Sequence, residues 1–242
     1  MANAERRSET RRAFVRDLRE PRRTLLSRPV QEAVPLEGGL PLGTDDQAVT
    51  GSSQALVHES PEHGFNAAIV SLVGSVGNGG PSDDGSSFDG LRPFIDGSIL
   101  NWQEPYWQRV TAYLRMAADY GITMMLYPID GWTIGRSFIP KSIEQCHSYG
   151  RKVAERFRDL PNIIWMSGGD YIPATKDSAR GSDVDHGIDA MMRGIREAGD
   201  GRPFSIQLAG EKSISNNAYW ASRVDWNFVY TYYPTYRAVL EA

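Results

Sequence analysis

Apolar runs of strand length, each separated from the next by an amphipathic segment of helix length, constrain this chain more than any other feature. "FNAAIVSLV" (65–73), "ITMMLYP" (122–128), "NIIWMSGGD" (162–170) and "FSIQLAG" (204–210) are short, largely apolar and free of period-two alternation. Such runs suit parallel strands covered on both faces. Between them, "EPYWQRVTAYLRMAADYG" places Trp107, Val110, Leu114 and Ala117 near helical spacing and stops at Gly121. "SIEQCHSYGRKVAERFRDLP" offers Ile143, Val153 and Phe157 to a second apolar face, and "VDHGIDAMMRGIREAGDGRP" predicts a third helix ended by Gly199 and Gly201. "YWASRVDW" reads as a short helix, "NFVYTYY" (227–233) as a further strand and "TYRAVLEA" as the start of another helix. Strand and helix in alternation specify a parallel α/β architecture.

Two such architectures compete. A doubly wound sheet binding nucleotides calls for a glycine-rich phosphate loop running straight into a helix. "SLVGSVGNGG" lacks the G-x-G-x-x-G order and the helix. A (β/α)8 TIM-type barrel puts its functional residues at the C-terminal ends of strands and in long loops there. Asp130, Asp170 and the loop from Gly74 to Pro105 fit that arrangement. The barrel is the expected fold.

Ahead of residue 54 the pattern weakens. Residues 1 to about 30 carry nine arginines, Arg6, Arg7, Arg11, Arg12, Arg16, Arg19, Arg22, Arg23 and Arg28, partly offset by acids, and read as a solvated helix or tail. Residues 35–53, "PLEGGLPLGTDDQAVTGSS", read as loop. The chain therefore divides into a poorly structured segment, 1–53, and a partial barrel, 54–242.

Composition removes several function classes. A net charge of −4 over 242 residues supplies no general basic surface for nucleic acid. No run of about 18 apolar residues spans a membrane, and nothing at the start resembles a secretory signal, so a cytoplasmic location is expected. The one cysteine, Cys146, forms no intrachain disulfide and reads as a packing thiol. Four histidines without ligand spacing, and an acidic loop "SDDGSSFDG" that lacks the order of a calcium loop, leave no expectation of a metal or cofactor. Oligomeric state stays open.

Chemistry concentrates at the strand ends. Asp170 follows an apolar strand and two glycines, which permit unusual backbone angles and let a ligand approach the main chain. Beside Trp165 and Tyr171 its carboxyl is expected to be partly desolvated and so suited to donate a proton; the alternative is a helix cap or a loop-stabilising role. Asp130, in "YPIDGW", is the internal candidate for a second carboxylate or a sugar contact, with a plain turn residue as the alternative. Glu211 is a weaker candidate. Trp102, Trp132, Tyr171, Tyr232 and Tyr233 offer flat rings on which a sugar could stack, against ordinary packing for each. Trp165, in mid-strand, reads as core.

"YWQRVTAYLRMAADYGITMMLYP", "YGRKVAERFRDLPNIIWMSGGDY" and "VDWNFVYTYY" resemble the apiosidase-like glycoside hydrolases of family 140 and their uncharacterised relatives, over about residues 63 to 236. The resemblance implies a (β/α)8 barrel acting on carbohydrate, with "NIIWMSGGD" as strand 4 and Asp170 as general acid/base of a retaining mechanism. It places the nucleophile at the end of strand 7. By this count strands 2–6 are clear, "LPLGTDD" is at best a degraded strand 1, and strands 7 and 8 are absent. Where relatives place a histidine after strand 5, this chain has Gln207, which can bind a sugar but cannot transfer a proton. The expected function is acid/base-assisted hydrolysis of a glycosidic bond in a polysaccharide side chain or oligosaccharide, weak or absent in this chain alone. The alternative is a non-catalytic relative that binds carbohydrate or self-associates.

Overall fold

The computed structural model describes residues 31–35, 64–78, 80–131, 133, 141–173 and 183–241. Its centre is a parallel sheet of five strands: β1 (Gln31–Pro35), β2 (Ala67–Ser71), β3 (Thr123–Tyr127), β4 (Ile163–Tyr171) and β5 (Phe204–Leu208). They lie side by side in chain order, β1-β2-β3-β4-β5. A doubly wound sheet reverses its order at a switch point, and this sheet does not. Sequential parallel strands joined by helical crossovers are the geometry of a (β/α) barrel wall.

Local signals in the sequence set the helices. α1 (Glu104–Asp119) opens with Pro105 in its first turn, where the missing N–H costs nothing, and buries Tyr106, Trp107, Val110, Tyr113, Leu114 and Ala117. Gly121, at φ 70°, lets the chain turn out of it into β3. α2 (Ile143–Arg156) starts at a reciprocal capping box between Ser142 and Gln145. Its buried side is Cys146, Tyr149, Val153 and Ala154, whereas Ile143, expected on that face, is 38% exposed in the first turn. α3 (Asp183–Glu197) carries Asp183 and Asp185 at its N-terminus, where the helix dipole favours them. α2 and α3 touch backbone to backbone: a Cβ on Gly150 would stand 2.0 Å from Met191 O, and one on Gly194 2.0 Å from His147 O.

The two faces of the sheet differ. Val70, Met124, Leu126, Ile163, Trp165, Phe204 and Ile206 join α1, α2 and α3 in one large core. Trp165 is fully buried there and donates its indole N–H to Asp200 at 3.0 Å, as a core reading of this residue requires. On the opposite, inner face a small cluster of Ile69, Met125, Tyr127 and Met166 is flanked by Ile164, Trp226 and Phe228.

At both sheet edges the structure differs from the sequence reading. The first strand is Gln31–Pro35, inside the segment from which no strand was expected; Gln31 pairs with Ala68 and Pro35 with Ser71. "QEAVP" has little strand signal of its own, and pairing with β2 overrides that weak preference. "LPLGTDD" lies outside the described residues. The sixth expected strand is a two-residue β7 (Val229–Tyr230), antiparallel to β6 (Lys212–Ser213). The chain just before it does run beside β5, since Asp225 N–H donates to Phe204 O at 2.9 Å and Ser205 Oγ donates to Trp226 O at 2.9 Å. Between these strands sits a one-turn α4 (Ala218–Ala221), and α5 (Thr235–Glu241) follows β7. None of the described helices is long and apolar enough to cross a membrane.

Candidate active site

β4 ends in a bulge. Gly168 pairs with Gln207 and Tyr171 with Leu208, so Gly169 and Asp170 are extra residues on the β4 side. Gly168, Gly169 and Asp170 all have positive φ, at 94°, 83° and 54°. Two glycines enter this region without cost, and aspartate is among the few side chains that tolerate it. The bulge turns Asp170 outward at the C-terminal end of the strand, where its side chain is exposed. The expected desolvation by Trp165 and Tyr171 does not occur, because both rings turn away from it. Trp165 packs toward the helices, and the Tyr171 hydroxyl donates to the buried Asp185, which also accepts the Trp220 indole N–H at 3.1 Å. Tyr171 is therefore a core side chain.

Asp130, expected at the mouth of the site, is fully buried. Its Oδ1 accepts from Thr133 N–H at 2.8 Å and lies 3.0 Å from Thr133 Oγ1, while Oδ2 lies 3.0 Å from Ser71 Oγ and 3.2 Å from Ser75 Oγ. Its backbone bridges Gly168, and the next residue, Gly131, is so close to the bulge that a Cβ there would stand 2.2 Å from Gly169 O. Asp130 thus ties the ends of β2, β3 and β4 together beneath Asp170 and has no surface to offer a sugar.

Tyr127 and Gln207 supply a polar pair on the inner face. The Tyr127 hydroxyl, at the end of β3, donates to Gln207 Oε1 on β5. Burial holds the Tyr127 phenol well above its ordinary range, and the negative charges of Asp130 and Asp170 push the same way. Gly168, two residues before Asp170, pairs with Gln207, which places Asp170 at the same end of the sheet as this pair. The sequence reading found Gln207 and missed Tyr127, although in "TMMLY" the side chains of Met125 and Tyr127 fall on one face and bring a hydroxyl to the strand's end.

The remaining candidates lie elsewhere. The Trp102 ring stacks on Trp107 at 3.8 Å between centroids, and Lys152 Nζ lies 4.6 Å from its own centroid. Its indole N–H donates to Ile99 O at 2.9 Å, so it packs between loop and helices. Trp132 lies outside the described residues. Tyr232 and Tyr233 are 74% and 71% exposed, and Tyr232 accepts a 2.6 Å hydrogen bond from the Tyr230 hydroxyl. The Glu211 carboxylate is held by Thr231 Oγ1 at 2.8 Å and Tyr232 N–H at 2.7 Å, where it closes the open end of the β6–β7 pair. Among the described residues no three of histidine, cysteine, aspartate and glutamate gather as metal ligands.

A parallel wall of strands in chain order, with an exposed carboxyl group on a glycine bulge at the end of the fourth, defines the class, a (β/α)-barrel protein with its candidate site at the C-terminal end of the strands. The comparisons agree and are more particular. The chain belongs to the apiosidase-like catalytic domain family, which matches residues 48–241. No curated protein matches it. Among solved structures, a glycoside hydrolase family 5 protein from Bacteroides vulgatus ATCC 8482 superposes with a TM-score of 0.56 at 23% identity, covering 73% of this chain and 36% of its own. A second, described as a glycoside hydrolase, gives 0.57 at 21% identity, covering 81% of this chain and 40% of its own. At these identities the likeness establishes the fold, and the chain spans two-fifths or less of either structure.

Proposed function

We propose that this chain forms the acid/base half of a glycosidase site, in which Asp170 protonates the leaving oxygen of a carbohydrate substrate. The observation that carries this reading is the Gly168–Gly169–Asp170 bulge. It spends two inserted residues and three left-handed backbone conformations on displaying one carboxyl group at the end of a barrel strand. The aspartate at φ 54° carries strain that the two glycines do not, and strain of this kind is retained where it serves a site. A sugar seated over the bulge would bring its leaving oxygen to the exposed Asp170 carboxyl group, which is placed to donate a proton to it. The family described as apiosidase-like makes a pentosyl side chain of a polysaccharide the first substrate class to try.

A glycosidase needs a second carboxylate about 5 Å away for retention, or about 6.5–9.5 Å for inversion. Asp130 is buried and Glu211 is occupied, so neither is placed to serve. That observation favours a second reading, a non-catalytic carbohydrate binder on the same scaffold. A panel of aryl glycosides that includes the apiofuranoside separates the two. The first reading expects turnover by the wild type and, in Asp170→Asn, its loss on the poorly activated members of the panel; equal, negligible rates with unchanged sugar binding would overturn it in favour of the second.

A further inference from the structure

We propose that Tyr127 is a positioning residue for Gln207, and that Gln207, so oriented, is the specificity contact of the site described above. The inference rests on the carbohydrate reading of that site. A primary amide has two unlike ends, an acceptor oxygen and a donor NH2 group, and one firm hydrogen bond decides which way each points. Here the Tyr127 hydroxyl donates to Oε1. The Nε2 group is then left with no hydrogen-bond partner among the described residues, on a side chain that is half-buried. The amide is a fixed donor held toward whatever occupies the inner face beside Asp170.

The backbone shows why this pair can form. Tyr127 and Gln207 sit on β3 and β5, with β4 between them, so their hydrogen bond crosses a whole strand. Adjacent strands stand about 4.8 Å apart, which makes this crossing about 10 Å, within the combined reach of a tyrosine and a glutamine. The β4 residue opposite Gln207 is Gly168, where a Cβ would stand 2.0 Å from Gln207 O. The glycine that opens the bulge for Asp170 therefore also lets β5 approach closely enough to seat Gln207 beside it. One local feature sets both the proton donor and the amide beside it.

The chemistry follows from the donor. An NH2 group recognises an acceptor oxygen on the sugar, either a hydroxyl oxygen or a ring oxygen, and its donor character does not change across the working range of pH. Gln207→Glu reverses that character. The introduced carboxylate would still accept from Tyr127 but would present only acceptors to the sugar, until acid restores a donor O–H. The charged groups that act on its partner Tyr127 are Asp130 and Asp170. Both are acidic and favour protonation of the introduced carboxyl group.

The experiment measures binding of the aryl glycoside panel by calorimetry, over pH about 4 to 8, for the full chain as wild type, Gln207→Glu and Tyr127→Phe. Gln207→Glu is expected to lose about tenfold or more in affinity at neutral pH and to regain it as pH falls toward about 4, while the wild type shows no such recovery. Tyr127→Phe is expected to lose a few-fold at every pH. Affinity of Gln207→Glu equal to wild type across the range would overturn the specificity role. A second measurement needs no ligand: the side-chain NH2 resonances of Gln207 in the nitrogen–proton NMR spectrum. They should shift in Tyr127→Phe, and unchanged resonances would overturn the orienting role of Tyr127. If the wild type binds no glycoside while those resonances do shift, the carbohydrate reading falls, the specificity role of Gln207 falls with it, and the Tyr127–Gln207 pairing stands.

Discussion

Asp130 and Gly168 bridge backbone to backbone across β3 and β4, and the carboxyl group of the same Asp130 gathers Ser71, Ser75 and Thr133. One buried side chain thereby joins the loops after β2 and β3 to the bulge that carries Asp170. Removing it leaves several donors without an acceptor in a dry place, and each such group costs about 1–3 kcal/mol. Asp130→Ala is expected to destabilise the chain by about 3 kcal/mol, read as a lower urea midpoint with an unchanged slope. A loss within about 0.5 kcal/mol would mean that the carboxyl group does not organise these loops.

The left-handed conformation of Asp170 makes a prediction of the opposite sign. An aspartate at φ 54° is strained relative to glycine, and its exposed side chain contributes little packing to offset that. Asp170→Gly is expected to raise stability by about 0.5–1 kcal/mol, seen as a higher thermal midpoint, while abolishing any hydrolysis. A lower midpoint would show that the Asp170 side chain makes stabilising contacts.

A third prediction concerns acid. Asp89, in the long loop after β2, pairs with Arg109 on α1 at 2.6 Å, and chiefly the hydrogen bonds from that guanidinium lower its carboxyl from 3.8 to about 2. A group whose folded value is depressed contributes stability above its unfolded value and loses it as pH falls through the folded one. The contribution of this pair is therefore complete above about pH 4 and gone below about pH 2. Asp89→Asn should flatten that part of the stability-versus-pH curve obtained by denaturant titration. An identical slope in the variant would remove Asp89 from the account.

How much of this was legible beforehand follows from where each signal resides. β2 to β5 and α1 to α3 were readable because burial on both faces of a strand, and on one face of a helix, writes a periodic pattern into the chain. The unusual backbone of "GGD" was readable because left-handed conformation selects glycine. Gln31–Pro35 was not, since an edge strand with glutamine, glutamate and proline is fixed by its neighbour rather than by its own residues. "NFVYTYY" misled for the converse reason. Its β-branched and aromatic residues favour extended chain without specifying a partner, and Val229–Tyr230 pairs with Lys212–Ser213 instead of extending the parallel sheet. Asp130 read as a second carboxylate, a sugar contact or a turn residue because Ser71, Ser75 and Thr133 converge on it only in three dimensions.

The central claim is that Asp170 protonates a leaving oxygen, and leaving-group dependence tests it most directly. Activated leaving groups such as dinitrophenol need no proton, whereas unactivated alcohols do. The account predicts that Asp170→Asn loses about a hundredfold or more in kcat/KM on glycosides of unactivated alcohols and keeps a nearly wild-type kcat/KM on the dinitrophenyl glycoside. Equal losses on both substrates, or no loss on either, would contradict it.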